Sequence, residues 1–324
     1  MIPQQRIRTR DVTFAFILAF GVAISAAAEA AAPLVKMQAP GYYRMMLGDF
    51  EVTAISDGTV DLPMTKLLTR TTPAESKRAY DRAFLKDPVE TSVNAYLVNT
   101  GSKLVLIDTG AGKLFGPTLG TLIANLKAAG YQPEQIDEIY ITHMHPDHVG
   151  GLAADGKPVF PNAVVRADKH DADFWLDPKT LAGAAKDDRA SVEGAQASLA
   201  PYVAAGKFRP FEGEAELVPG VKAHASHGHT PGHTTYVVES KGQKLALWGD
   251  LMHVAAVQFP NPAVTIQFDS DSKMAAAERK KAYADAANQG YWVAAAHLPF
   301  PGIGHLRKDG TGYAFVPANY SIPR

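Results

Sequence analysis

The chain has 324 residues, 46% of them apolar and 20% charged, with a formal net charge of −1. That balance belongs to a globular protein with a sizeable core, and the mixed charges leave no basic footprint for a nucleic-acid backbone. There is no cysteine, which excludes thiolate metal sites, a cysteine nucleophile and disulfides.

Arg6, Arg8 and Arg10 make a basic start, Phe14 to Ile24 an apolar stretch too short to span a bilayer, and Ala28-Glu29-Ala30 a small-x-small cleavage pattern. Residues 1–30 are therefore expected to be a secretory signal, with an uncleaved anchor as the alternative. No Arg-Arg pair is present, so the general secretory route is expected. The mature protein would be periplasmic or secreted, without lasting membrane insertion. Residues 31–324 show no linker that would divide them.

Phe50 to Ile55 alternates apolar and polar residues, as a half-buried strand does, and then meets Ser56-Asp57-Gly58, which reads as a turn. Val93–Val98 and Lys103–Ile107 read as strands joined at Asn99-Thr100-Gly101. Leu119, Leu122, Ile123, Leu126 and Ala129 have helical spacing, with Gly130 as the stop. A short buried strand over Glu138–Thr142 follows. Thr235–Val238 and Lys244–Trp248 form another strand pair. A helix is expected from Ser272 to Asn288, capped by Asp271 and ended near Gly290. Tyr291–Ala296 is a last central strand, and Asp309-Gly310 marks a closing hairpin. Such mixing favours a layered α/β domain.

The chemistry is concentrated in His143-Met144-His145-Pro146-Asp147-His148. Neutral imidazole and carboxylate are the natural ligands of zinc and its neighbours. His143 and His145, two residues apart in extended chain, point the same way and can grip one ion. Asp147 and His148 lie where the chain turns and can be aimed at a second. His229, Asp250 and His297 each follow a strand-like apolar run, where α/β folds gather their sites. Together these residues supply a third histidine, a bridging carboxylate and a closing histidine.

The series His143-x-His145-x-Asp147-His148, His229, Asp250 and His297 resembles the ligand set of the metallo-β-lactamase superfamily. Gly41 to Arg44, Thr100 to Leu106, Phe115 to Gly120 and Pro299 to His305 resemble, within it, the methyl parathion hydrolases. The resemblance implies a single αββα four-layer sandwich with a dinuclear metal site along one edge, and a homodimer. By it, His143, His145 and His229 hold one ion, Asp147, His148 and His297 the other, and Asp250 bridges both. The ions suit zinc, with manganese, cobalt or iron also fitting. Two ions sharing a hydroxide would provide the nucleophile, leaving Asp147 and Asp250 as the carboxylates at the reacting centre. The expected reaction is hydrolysis of a phosphotriester with an aryl leaving group. Lactones or aryl esters are the alternative substrates, and a metal-binding protein without activity is the reading from another class.

Several residues around the ligands remain open. Asp108 either orients a ligating imidazole or accepts backbone N–H groups in its own turn. Phe115 and Trp175, with Leu62 and Leu67, are candidates for the substrate pocket or for ordinary core. His233 is expected to buttress His229. His253, where the organophosphate hydrolases are apolar, reads as a surface histidine ahead of a proton donor or a substrate contact. The stretch from Lys186 to Gly194 lacks the phenylalanine pair of those relatives, which favours lactones and aryl esters. His170 reads as a residue of a surface helix, His224 and His227 as solvent-facing with support of the ligands as the alternative, and His305 carries no assignable chemistry.

Overall fold

Val105 and Ile107 turn to one side of their strand and Leu104 and Leu106 to the other, and both sides are buried. A strand that is apolar on both faces must lie between two layers. In the computed structural model, which describes residues 34–322 together with Met1 and Ala32, that strand belongs to a six-stranded sheet. In chain order its strands are β1 (Tyr42–Leu47), β2 (Phe50–Leu62), β3 (Val89–Asn99), β4 (Leu104–Ile107), β5 (Glu138–Tyr140) and β6 (Val164–Arg166). β1 to β4 pair antiparallel, and β4, β5 and β6 parallel.

The second sheet has seven strands: β7 (Ala215–Val218), β8 (Val221–Ala225), β9 (Thr234–Ser240), β10 (Gln243–Leu247), β11 (Trp292–Ala294), β12 (Ile303–Asp309) and β13 (Gly312–Pro317). Only β10 and β11 pair parallel. Val105, Ile107 and Tyr140 from the first sheet share one core cluster with Tyr236, Val238, Leu245 and Leu247 from the second, so the sheets pack face to face.

Helices cover the outer faces. The longer ones are α1 (Pro73–Arg82), α2 (Leu122–Ala128), α3 (Lys169–Trp175), α4 (Pro178–Gly183), α5 (Arg189–Ala204) and α6 (Ser272–Gln289). Leu122 and Leu126 of α2 and Leu199 and Tyr202 of α5 close over the outer face of the first sheet. Tyr283 and Ala286 of α6 pack on Val237, Ala246 and Val293. The order helix, sheet, sheet, helix is the expected αββα sandwich. The compact unit runs over Ala39–Arg324. The expected leader lies, apart from Met1, outside the described residues. No helix among the described residues is long and apolar enough to cross a membrane.

Two expectations from the sequence need correction. Ser56-Asp57-Gly58 is no turn: β2 continues to Leu62, and its register with β3 shifts by a bulge between Ser56 and Gly58. The bulge admits one extra residue without ending the ladder, and it drives Asp57 inward. There the carboxylate accepts from the backbone N–H of Ala111, Gly120 and Leu122 at 2.9, 3.0 and 3.0 Å. The helix expected from Leu119 starts at Leu122, because the preceding chain is bent around that carboxylate.

Gly110 lies against Asp57, with φ +72 and a notional Cβ only 2.4 Å from Asp57 Cγ. Gly110→Ala is expected to cost about 2–5 kcal/mol, from left-handed backbone strain and overpacking. A urea midpoint shifted by less than a tenth of the wild-type value would contradict this. Gly150 and Gly151 lie equally tight, where a Cβ would come within 2.0 Å of the carbonyl oxygens of Ala111 and Thr109. Backbone therefore packs on backbone between the loop after β4 and the loop after β5.

Candidate metal centre

β8, β10 and β11 end on the same edge of the second sheet, since β8 and β10 both run antiparallel to β9 and β11 runs parallel to β10. His229 lies in the turn after β8, Asp250 after β10 and His297 after β11. Across from them, β5 leads into His143 and His145 and the short helix Pro146–Val149, which carries Asp147 and His148. Pro146 at the first position of that helix needs no backbone partner for its missing N–H.

The side chains converge in two groups. His143 Nε2 and His229 Nε2 lie 3.0 and 3.1 Å from His145 Nδ1, and 3.6 and 3.3 Å from Asp250 Oδ2. His148 Nε2 and His297 Nε2 lie 3.6 and 3.5 Å from Asp147 Oδ2. Asp250 also reaches this group, with Oδ1 3.2 Å from His148 Nε2 and Oδ2 3.1 Å from His297 Nε2. One carboxylate therefore faces both groups.

This arrangement fits divalent ions. Ligands held tetrahedrally at ~2.0–2.1 Å from zinc are ~3.4 Å from one another, and the separations above bracket that spacing. His148 Nε2 and Asp250 Oδ1 are buried without a hydrogen-bond partner, a costly state that a shared cation relieves. Burial and neighbouring imidazoles hold His143 and His145 well below the ordinary histidine range, so both rings are neutral donors. Burial also opposes charge on His148, yet Asp250, Asp147 and Asp108 outweigh it and raise its affinity for a proton. His229 behaves likewise, its burial overcome by Asp250 and Asp269, and reaches about 9. The carboxylates thus draw positive charge to this spot.

Four of the five rings, those of His143, His148, His229 and His297, are also gripped from behind. Asp108 Oδ2 lies 2.8 Å from His148 Nδ1, and the same carboxylate accepts from Thr142 N and Oγ1 at 2.8 Å. Thr142 Oγ1 in turn meets His143 Nδ1 at 3.1 Å. Asp108 therefore fills both roles left open, although the N–H belongs to Thr142 and not to its own turn. His297 Nδ1 donates to Ser92 O at 2.9 Å, and His229 Nδ1 meets Asp269 Oδ1 at 2.8 Å. These bonds leave each Nε2 lone pair facing the centre. His145 is turned the other way, with Nδ1 inward.

Asp171 ties the two ligand loops together. Its carboxylate accepts from Met144 N at 2.9 Å and Gly232 N at 2.6 Å, and burial raises it to about 6. Ser92, Thr142, Asp171 and Asp269 were not legible as site residues. Asp269 stands in a polar turn beside Asp271, which caps α6, and nothing in the sequence separates the two roles.

The outer residues divide. A cavity of about 740 Å³ opens onto His145, Asp147, Asp250 and His297, and its wall includes Leu62, Phe115, Phe174, Trp175, Val192 and Phe268. Leu67 is not on that wall; it packs instead against the cluster that holds Met64, Leu68 and Ile266. The stretch 186–194 contributes only Asp187, Asp188, Ser191 and Val192. His253 is no surface residue: it is 4% exposed, its Nε2 lies 3.2 Å from Asp250 Oδ2, and it lines the cavity. Burial lowers it to about 4, so it is neutral at physiological pH. His233 does not hydrogen-bond His229. Its Nδ1 donates to Ser226 O and its Nε2 accepts from Asp250 N, both at 3.0 Å, so it fixes the backbone of the bridging aspartate. His224 pairs with Glu214 at the surface, and the His305 ring lies tilted against Trp292.

A histidine- and aspartate-lined dinuclear centre at the edge of an αββα sandwich defines a class of metal-dependent hydrolases. Residues 88–287 match the family model of the metallo-beta-lactamase superfamily, and the chain belongs to that superfamily. A solved hydrolase of the beta-lactamase superfamily, AbOPH, is 40% identical with a TM-score of 0.84, over 88% of this chain and 100% of its own. AidC, a dizinc quorum-quenching lactonase solved with its product N-hexanoyl-L-homoserine, is 28% identical with a TM-score of 0.80, over 87% and 99%. An N-acyl homoserine lactonase of a Bacillus species is 26% identical over 212 residues, 60% of this chain and 76% of its own.

Proposed function

We propose that this chain is a dinuclear metal-dependent lactonase for lactones bearing an apolar chain, such as N-acyl homoserine lactones. The observation that carries the reading is Asp250, which faces both histidine groups at the floor of an aromatic-lined cavity. His143, His145 and His229 would hold one ion, Asp147, His148 and His297 the other, and Asp250 both. Bound there, a pair of divalent ions supplies a nucleophile from water at neutral pH and polarises the bond under attack.

The residues do the rest. Asp108, Asp269 and Ser92 hold three rings in the tautomer that leaves Nε2 free to ligate. Phe115, Phe174, Trp175 and Phe268 exclude water and pack an acyl or aryl group, in a cavity of ordinary ligand size. His253, neutral and buried beside Asp250, offers one N–H and one lone pair to the reacting group. A polar ring at that point suits a lactone, whose carbonyl and ring oxygen both need partners. Export to the periplasm or beyond belongs to the same proposal and rests on the leader in residues 1–30.

A second reading, hydrolysis of aryl phosphotriesters or aryl esters, is favoured by Phe115 and Trp175 on the cavity wall. Assay against an N-acyl homoserine lactone, a nitrophenyl ester and a dialkyl nitrophenyl phosphate separates the two. The lactone is expected to lead in kcat/KM, and a phosphotriester in first place would install the second reading. His253→Ala is expected to lower lactone kcat/KM by about 10²-fold, the size of a lost proton-transfer or hydrogen-bonding group, with metal content unchanged. Loss of metal from that variant would move His253 into the ligand set instead.

A further inference from the structure

We propose that Asp168, His170 and His227 form an additional divalent-ion site, outside the centre described above, for a first-row transition ion of the zinc type. One ligating atom from each lies within 4.8 Å of the others. Asp168 caps α3, where Oδ1 accepts from His170 N at 2.7 Å and from His170 Nδ1 at 2.9 Å. That leaves the second carboxylate oxygen. Asp168 is 1% exposed, and its Oδ2 is buried without a hydrogen-bond partner. It faces His227 Nε2 at 3.5 Å, a nitrogen equally without a partner.

A buried, half-satisfied carboxylate is an expensive group to keep, and here it points at an imidazole too far away to bond well. The rings of His170 and His227 are 4.9 Å apart and tilted by 55°, and they converge on the two oxygens of one carboxylate, His170 on Oδ1 and His227 on Oδ2. The His170 side chain is 55% exposed and that of His227 25%, so an ion can enter from solvent and keep water on its open side. Two imidazoles and one carboxylate form a set that zinc and its neighbours accept.

The competing account is an ion pair, since the Asp168 carboxylate holds His227 above the usual histidine range. The two accounts respond to different variables: an ion pair follows pH alone, a metal site follows metal. The site would also reach the main centre. His227 shares a turn with His229, and Asp168 opens the helix that carries Asp171, so a bound ion would clamp the 226–233 turn onto α3.

The test is equilibrium dialysis of the full chain against Zn2+ at neutral pH, for wild type, His170→Ala and His227→Gln. Each variant is expected to bind one ion fewer per chain than wild type, whatever number the main centre holds. Equal stoichiometry in all three overturns the proposal. His170 is largely exposed, so its replacement keeps the fold, and its melting temperature in chelator should match wild type. As a second readout, the ring protons of His170 and His227 should shift together on the last zinc equivalent. A last equivalent that moves other rings and leaves these two still overturns it as well.

Discussion

Replacing Asp250 by alanine is expected to abolish turnover of every substrate, by about 10³-fold or more, equivalent to ~4 kcal/mol of transition-state stabilisation. The reason lies in the number of partners this one carboxylate serves. Its two oxygens lie within 3.6 Å of the facing nitrogens of His143, His148, His229 and His297. Without the carboxylate between these imidazoles, nothing placed between two closely spaced cations offsets their mutual repulsion. Burial by itself would favour protonation of Asp250, but His297, His148 and His143 pull it well below the usual carboxylate range, so it is ionised at neutral pH. Alanine therefore removes a full negative charge from a dry site. Elemental analysis should show fewer ions per chain than in the wild type. A variant that kept both ions and wild-type kcat would remove the mechanism.

The second large effect is expected at Asp108. Asparagine fits its backbone, because φ is +60 there and Asn tolerates that region better than most residues. The hydrogen bonding does not survive. The aspartate accepts from Thr142 N on one oxygen and from Thr142 Oγ1 and His148 Nδ1 on the other. An asparagine must place its NH2 against one of those sets of donors. If the NH2 meets His148, the ring can pair only by moving its proton to Nε2, the atom that faces Asp147 and Asp250. If it meets Thr142, a buried backbone N–H is left unpaired. Asp108→Asn is expected to weaken metal binding at the His148 group by about 10–100-fold, with activity partly recovered in excess metal. An unchanged metal affinity, with both ions retained through dialysis, would show that Asp108 only supports the loop.

Much of this centre was readable in the chain because metal ligation demands side chains that few other roles place together. His143, His145, Asp147 and His148 announce themselves by spacing, and His229, Asp250 and His297 by ending apolar runs. Second contacts were less legible, since a carboxylate that orients a ring looks like any turn aspartate. Asp269 and Asp171 show this. His253 reads as a surface residue although the sequence carries the opposite signal: Leu251, Met252 and Val254 around it are all buried, and a loop so apolar does not lie in solvent. Ser56-Asp57-Gly58 has turn chemistry, but pairing with β3 on both sides of the bulge overrides local preference. Leu67 failed for the opposite reason, its apolar character fitting cavity wall and core alike.

The glycine pair after the histidine cluster has a consequence for how the enzyme is made. Gly150 and Gly151 fit flush against the carbonyls of Ala111 and Thr109, and Asp171 pins the neighbouring strand exit to the opposite turn. The donors are thus anchored by main chain, with little slack to stretch or shrink around ions of different radius. With no thiol to discriminate among them, protein grown on zinc, manganese or cobalt should carry whichever is abundant in one unchanged frame. Comparing such preparations would then read out the chemistry of the ion itself, uncomplicated by refolding of its host.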